Sequence, residues 1–175
     1  MKKQETRKIV LSGFLIAMDV LLTRILALNT SIMKIGFGFV AIAISAALYG
    51  PWWAAVCGAL GDLLGSLIFP TGAYFPGFTL TAALTGFFFG LFLKPYSRGN
   101  ALIAAVVNTV VVSYLGNTAM IAYLSGTEYI KLLTARAVQI IVMLPVQCII
   151  LSVILPILLN RINASASNKN TKKTS

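Results

Sequence analysis

The 175-residue sequence contains no histidine, four acidic residues, two cysteines and only 10% charged residues. A soluble domain carries about 25% charged residues, so this chain lacks the polar surface to cover a globule in water. The absence of histidine excludes His-containing triads, HExxH zinc sites and imidazole proton relays. Cys57 and Cys148 each fall inside an apolar run, where they read as small buried hydrophobes rather than as a disulfide or a metal pair. No metal and no cofactor are therefore expected. A small intramembrane enzyme would need an activated nucleophile, a metal or paired carboxylates, and none of these is in view. No GxxxxGK[ST] phosphate loop is present either.

What the sequence does have is apolar length. Hydrophobic residues make up 58%, and the mean hydropathy is +0.90, which places the chain in a bilayer. A spanning helix needs roughly 20 apolar residues, so there is room for about six spans and little else. The net charge of +10 does not point to nucleic acid. Its basic residues cluster at Lys2, Lys3, Arg7 and Lys8, at Lys94 and Arg98, and from Arg161 to Lys173. All flank apolar runs, as the positive-inside rule expects.

The runs predict an all-α integral membrane bundle of six transmembrane helices. They are Ile9–Leu28, Gly36–Leu48, Trp52–Phe69, Gly77–Leu93, Ala101–Leu124 and about Leu132–Leu159. The second is short and could instead be re-entrant. Pro51 closes it, because proline lacks a backbone donor. Trp52 and Trp53 read as interfacial anchors. An even number of spans puts both termini on one side, and the rich basic clusters assign that side to the cytoplasm. One membrane domain over residues 1–163 is expected, followed by a disordered cytoplasmic tail over 164–175 rich in Asn, Ser, Lys and Thr.

Helical rise converts sequence position into depth. At about 1.5 Å per residue, Arg24, Asp62, Asn117, Arg136 and Gln139 all fall in the outer third of the membrane, on four different spans. A charge at mid-bilayer costs on the order of 2.5–3.5 kcal/mol, so such residues face the bundle interior and need a partner or a ligand. Two Arg against one Asp leave a positive excess suited to an anionic group. Other readings stay open: Arg24 is shallow enough to snorkel, and Asp62 could pair with Arg136 to fix helix packing. Asp19 lies deeper, close to Thr23 by helical spacing, and the sequence alone gives it no role.

Between spans three and four lies Phe69-Pro70-Thr71-Gly72-Ala73-Tyr74-Phe75-Pro76-Gly77-Phe78-Thr79. Its prolines and glycines set an irregular turn. Irregular backbone at a membrane is tolerated where it lines a cavity or reaches water. Tyr74, Phe75 and Phe78 offer flat apolar faces that suit a planar heterocycle, or an interfacial aromatic belt.

This stretch, continued by Leu80-Thr81, resembles the signature of the folate-specific substrate-binding (S) components of energy-coupling factor (ECF) vitamin transporters. Leu28-Asn29-Thr30-Ser31-Ile32-Met33-Lys34-Ile35-Gly36-Phe37-Gly38-Phe39 does too, as do Tyr49-Gly50-Pro51-Trp52-Trp53 and Gly58-Ala59-Leu60-Gly61-Asp62-Leu63-Leu64-Gly65. Arg24 matches the Arg that precedes the Asn-Thr motif. The motifs cover the first half of the chain; the second half fits by span count and charge.

The resemblance implies a subunit that captures folate, or a reduced folate, outside the cell. Its partners would be a transmembrane coupling subunit and two ATPases, whose hydrolysis drives toppling and inward release. It implies a lid over the external mouth formed by Thr71, Gly72, Ala73, Tyr74, Phe75, Pro76 and Gly77, with Phe78 and Thr79 lining the top of the fourth span. Arg24 and Arg136 become candidates for the ligand carboxylates, Asp62 for the amino-amide edge of the pterin, and Asn117 and Gln139 for its remaining polar groups; the two ends could be exchanged. Gly13 and Ala17 form a small-xxx-small pair on the first span. The family docks its coupling subunit there with Ala at both positions; Gly13 departs from that pattern but keeps the size small. Packing within the bundle is the alternative use of such a pair. Another vitamin or small anionic heterocycle is the alternative ligand.

Overall fold

The computed structural model describes residues 2–29, 34–70 and 74–161, with the backbone alone for 2–4, 28–29 and 34–35. The described residues form six helices and one small hairpin. Helix α1 is Lys2–Arg24; strands β1 (Leu28–Asn29) and β2 (Lys34–Ile35) pair antiparallel; α2 is Phe39–Tyr49, α3 Pro51–Ile68 and α4 Pro76–Leu93. Helix α5 runs Arg98–Ser125 and α6 Tyr129–Arg161. Residues 30–33, 71–73 and 162–175 lie outside the description, and with them Thr71, Gly72 and Ala73 of the expected lid and the whole expected tail.

Four of the helices, α3 to α6, are long and apolar enough to cross a membrane. Helix α1 has the length, but Arg7, Lys8 and Asp19 fall within every 18-residue stretch of it. It ends at Arg24, so that residue sits at the helix end and not a turn inside it as the run Ile9–Leu28 implied. The short second run is an 11-residue helix, about 16 Å long, which is half of the ~30 Å hydrocarbon core. Phe39, Ile42, Ile44 and the alanines between them are buried on every side. A helix that is apolar all round belongs inside other helices, and α2 packs against α1, α3 and α4.

The break between α2 and α3 is backbone-driven. Gly50 adopts φ 90°, a conformation that a Cβ would strain, and Pro51 opens α3 where its missing N–H costs nothing. Trp52 projects outward, 77% exposed, as an interfacial anchor should. Trp53 departs from that expectation. Its Nε1 donates to Ser12 Oγ at 2.6 Å, and Lys8 Nζ lies 4.0 Å from its ring centroid. The side chain thus ties α3 to α1 instead of facing lipid.

Helices α3 and α4 pack along their lengths. Their contact is built on glycine, because lipid gives no hydrophobic drive to helix association and close backbone approach must supply it. A Cβ on Gly86 would strike the Ala54 carbonyl, and one on Gly90 would strike Pro51. Gly58, Gly61 and Gly65 of α3 are buried as well. Away from the cavity the core is mostly alanine and leucine, Ala43, Ala46, Ala54, Ala101, Ala104, Ala105, Leu93, Leu151 and Leu155, around the fully buried ring of Phe89.

Both long C-terminal helices carry a π-helical stretch, Asn108–Gly116 in α5 and Ile150–Ile154 in α6. The second ends just ahead of Pro156, whose missing N–H leaves upstream carbonyls without a helical donor. Tyr96, from the α4–α5 connection, supplies one: its hydroxyl donates to Leu151 O at 3.0 Å and reaches Ser152 O at 3.3 Å.

Replacing Gly86 by Ala would press a methyl into the α3 backbone. The expected cost is about 1–3 kcal/mol, read as a lowered midpoint of thermal unfolding in detergent. An unchanged midpoint would show that the two helices can separate freely there.

Candidate ligand-binding site

A cavity of about 410 Å³ lies among α1 to α6, within the size range of small-molecule sites. It is roofed by Tyr74, Phe75 and Phe78 and extends down to Asn108, Thr109 and Gln147. Of the residues expected at the ligand or over it, Arg24, Asp62, Tyr74, Phe75, Phe78, Asn117, Arg136 and Gln139 line it. Pro76 and Thr79 are placed outside the lining. Pro76 is the first residue of α4, where proline is preorganised for a helix start. Thr79 donates to Asp62.

The ion pair in the wall joins Arg24 to Asp62, not Arg136 to Asp62. Arg24 Nη2 lies 3.3 Å from Asp62 Oδ1, with the two side chains 7% and 19% exposed, and 2.7 Å from Ser66 Oγ. The other carboxylate oxygen, Oδ2, accepts from Thr79 Oγ1 at 2.9 Å. Thr79 Oγ1 is in turn 3.0 Å from the Tyr74 hydroxyl. A continuous polar chain therefore runs from the end of α1 through α3 to the start of α4 and the segment just before it. Arg24 is held and does not snorkel, because Gly65 lets the guanidinium lie against the α3 backbone: a Cβ there would sit 2.9 Å from Arg24 Nε.

Arg136 is different. It is 3% exposed, and its acceptors are neutral. Nε and Nη2 lie 3.1 and 2.9 Å from Gln139 Oε1, and Nη1 lies 3.0 Å from Thr118 Oγ1. Among the described residues no carboxylate pairs with it. Asn117, the neighbour of Thr118 on α5, accepts through Oδ1 from Thr81 Oγ1 at 2.7 Å, which ties α5 to α4.

Several wall residues escaped the sequence reading. Asp19 lines the cavity and is 3% exposed. Its carboxylate is packed so closely between α2 and α3 that a Cβ on either Gly38 or Gly61 would strike it. At the floor, Gln147 Oε1 accepts from Asn108 Nδ2 at 3.2 Å and from Thr109 Oγ1 at 3.1 Å. Asn108 Oδ1 is buried with no hydrogen-bond partner among the described residues. Asn108, Thr109, Ser113 and Tyr114 all belong to the π-helical stretch of α5 and all line the cavity, in keeping with the association of such stretches with functional sites.

The mouth is aromatic. Phe75 lies 6.2 Å from Phe78 and 5.9 Å from Tyr123, centroid to centroid, so it joins the start of α4 to the end of α5. Gly77 makes room for this: a Cβ there would strike the Phe75 ring.

Comparison with known proteins decides the family. Residues 3–164 match the family model of the ECF-type riboflavin transporter S component. The chain belongs to this S-component family. The folate transporter FolT of Clostridium novyi (strain NT) is 37% identical over 141 residues, covering 79% of this chain and 82% of that one. The folate transporter FolT of Leuconostoc mesenteroides subsp. mesenteroides is 28% identical over 153 residues, covering 83% and 82%. A crystal structure of FolT bound with folic acid matches with a TM-score of 0.76 at 30% identity, over 82% of this chain and 89% of that one. This S component is accordingly a multi-pass membrane protein and a transport subunit, not an enzyme.

If the Arg24–Asp62 contact stabilises the wall, a double-mutant cycle with Arg24→Gln and Asp62→Asn should give a coupling of about 0.5–3 kcal/mol in thermal unfolding of the detergent-solubilised chain. Additive losses would mean that the two residues act separately.

Proposed function

We propose that this chain captures folate, or a reduced folate, from outside the cell and passes it inward in complex with a transmembrane coupling subunit and two ATPases. The observation that carries the ligand assignment is Arg136: a buried guanidinium on a cavity wall, held by neutral acceptors alone among the described residues. Such a group favours a carboxylate, which it can engage through charge-assisted bonds. Arg24 is already neutralised by Asp62, so Arg136 is the stronger candidate for the ligand's anionic end. The relatives named as folate transporters support the same choice over riboflavin, which carries no carboxylate.

The cavity is long enough to read both ends of such a molecule. Gln147 is eleven residues beyond Arg136 on α6, about 16 Å along the axis. The amide cluster of Asn108 and Gln147 provides donors and acceptors for the amino-amide edge of a pterin, and Tyr74, Phe75 and Phe78 supply apolar faces near the mouth. Asp62, the sequence-based candidate for the pterin, has both oxygens engaged; in this reading it orders Arg24 and Thr79, while Asn117 and Gln139 complete the polar wall.

Orientation follows from charge. Lys8 approaches Tyr49 and Trp53, and a Cβ on Gly50 would lie 3.6 Å from Lys94 Nζ. These basic groups share the end of the bundle opposite the mouth, which we assign to the cytoplasm along with both termini. In this reading the lid is the stretch of Thr71, Gly72, Ala73, Tyr74, Phe75, Pro76 and Gly77. For docking, α1 presents Gly13 and Ala17 on an exposed face, and nothing lies within 4 Å of where a Gly13 Cβ would be. This openness supports a partner helix as the use of the pair rather than packing within the bundle.

Calorimetric titration of the purified subunit with folic acid and riboflavin tests the ligand; binding of riboflavin alone would overturn the assignment. Arg136→Gln should weaken folic acid by about 1.5–3 kcal/mol, the range for a bond to a charged group, while 6-methylpterin, which has no carboxylate, changes little. Equal loss for both ligands would argue against a carboxylate role. Gly13→Leu should leave folic acid binding intact and abolish ATP-driven uptake in the assembled complex; parallel loss of both would point to a folding defect.

A further inference from the structure

We propose that the cleft between the start of α5 and the end of α6 binds the headgroup of an anionic phospholipid. The cleft measures about 400 Å³ and is lined by Arg98, Ser152, Val153, Pro156, Ile157 and Asn160. It shares no lining residue with the ligand cavity. Its shape follows from α6: the π-helical stretch and Pro156 interrupt the regular ladder, and Tyr96 fixes that interruption by bonding the freed carbonyls.

The chemistry of the lining is divided in the way that a phospholipid is divided. Val153 and Ile157, 53% and 56% exposed, present an apolar wall to an acyl chain. Arg98 and Asn160 supply polar hydrogens at the end of the bundle, where a phosphodiester would lie. A guanidinium engages phosphate through paired, directional bonds. None of the four acids of the chain, Glu5, Asp19, Asp62 and Glu128, lines the cleft, and among the described residues Arg98 makes no ion pair. Lys94 and Arg161 lie four residues before Arg98 and one residue after Asn160. The local charge is thus positive throughout, which attracts a headgroup of net negative charge and disfavours one ending in an ammonium. Basic pockets between membrane helices bind anionic headgroups for this reason.

The test uses the full chain, purified, delipidated in detergent and equilibrated with equal amounts of phosphatidylglycerol and phosphatidylcholine, with bound lipid counted by native mass spectrometry. Phosphatidylglycerol should be retained about fivefold over phosphatidylcholine, the ratio that one basic residue near an anionic surface provides. Arg98→Gln should bring the ratio close to one, and Arg98→Lys should keep most of it. Ile157→Trp, which fills the cleft and leaves the charge in place, should also abolish the preference. Unchanged folic acid binding reports that each variant is folded. No preference in the wild-type chain, or a preference that survives both Arg98→Gln and Ile157→Trp, overturns the proposal. So does an Arg98→Gln variant that keeps its lipid preference yet no longer assembles with the coupling complex, which would make the cleft a protein-docking surface.

Discussion

A charge inside a bilayer must find a counter-charge, a set of dipoles or a ligand, and the cavity is organised by how Arg24, Asp62 and Arg136, three of the four charged residues in its described wall, meet that demand. Arg24 and Asp62 meet it with each other. The pair also engages Ser66, Thr79 and, through Thr79, Tyr74. Both carboxylate oxygens are satisfied, so the pair escapes the penalty of a half-partnered buried ion. Among the described residues Arg136 meets the demand with dipoles, from Gln139 and Thr118. Dipoles hold the guanidinium in place without neutralising it. In the proposed reading, this contrast between the two arginines assigns the ligand's anionic end to Arg136.

Backbone hydrogen bonding imposes the second constraint. In lipid every unsatisfied carbonyl is costly, so an irregular helix survives only where something else supplies the bond. The two π-helical stretches answer this differently. In α6 the Tyr96 hydroxyl, from a separate connection, reaches the carbonyls left open ahead of Pro156. In α5 the stretch is inward, and its widened turn directs Asn108, Thr109, Ser113 and Tyr114 toward the cavity. Tyr114 then donates across to Leu133 O at 2.8 Å, which joins α5 to α6 beside Arg136.

The sequence made depth legible and left direction obscure. Counting at about 1.5 Å per residue was enough to group Arg24, Asp62, Asn117, Arg136 and Gln139, and all five line one cavity. Depth cannot say which pairs meet, because that depends on the rotation of each helix about its axis. Hence the Arg24–Asp62 pair, the role of Thr79 and the floor formed by Asn108 and Gln147 emerged only in three dimensions. Asp19 is instructive. Its neighbours are Gly38 and Gly61, distant in sequence and lacking side chains, so no pattern of polar residues could have announced its place. The sixth apolar run passes straight through Pro156, and Tyr96 as the remedy for the interruption is not visible in the sequence either, since the two are far apart in the chain. The length of α2 was the weakest inference from composition for a related reason: an apolar run reports burial whether the surroundings are lipid or protein.

Helix α1 brings the two surfaces of the molecule together. Its inward side carries Asp19, Thr23 and Arg24 into the cavity wall, and Ser12 and Leu15 into the bundle. Its outward side shows Ile9, Val10, Phe14 and Leu21 to the surroundings, with Gly13 and Ala17 as a shallow strip among them. Such a helix is held in register by its inward bonds, above all Arg24 to Asp62 and Ser12 to Trp53, while its outward face stays smooth enough for another helix to approach. The polar side fixes where the apolar side sits, so the position of the exposed Gly13 and Ala17 strip is set by the same residues that shape the wall of the cavity.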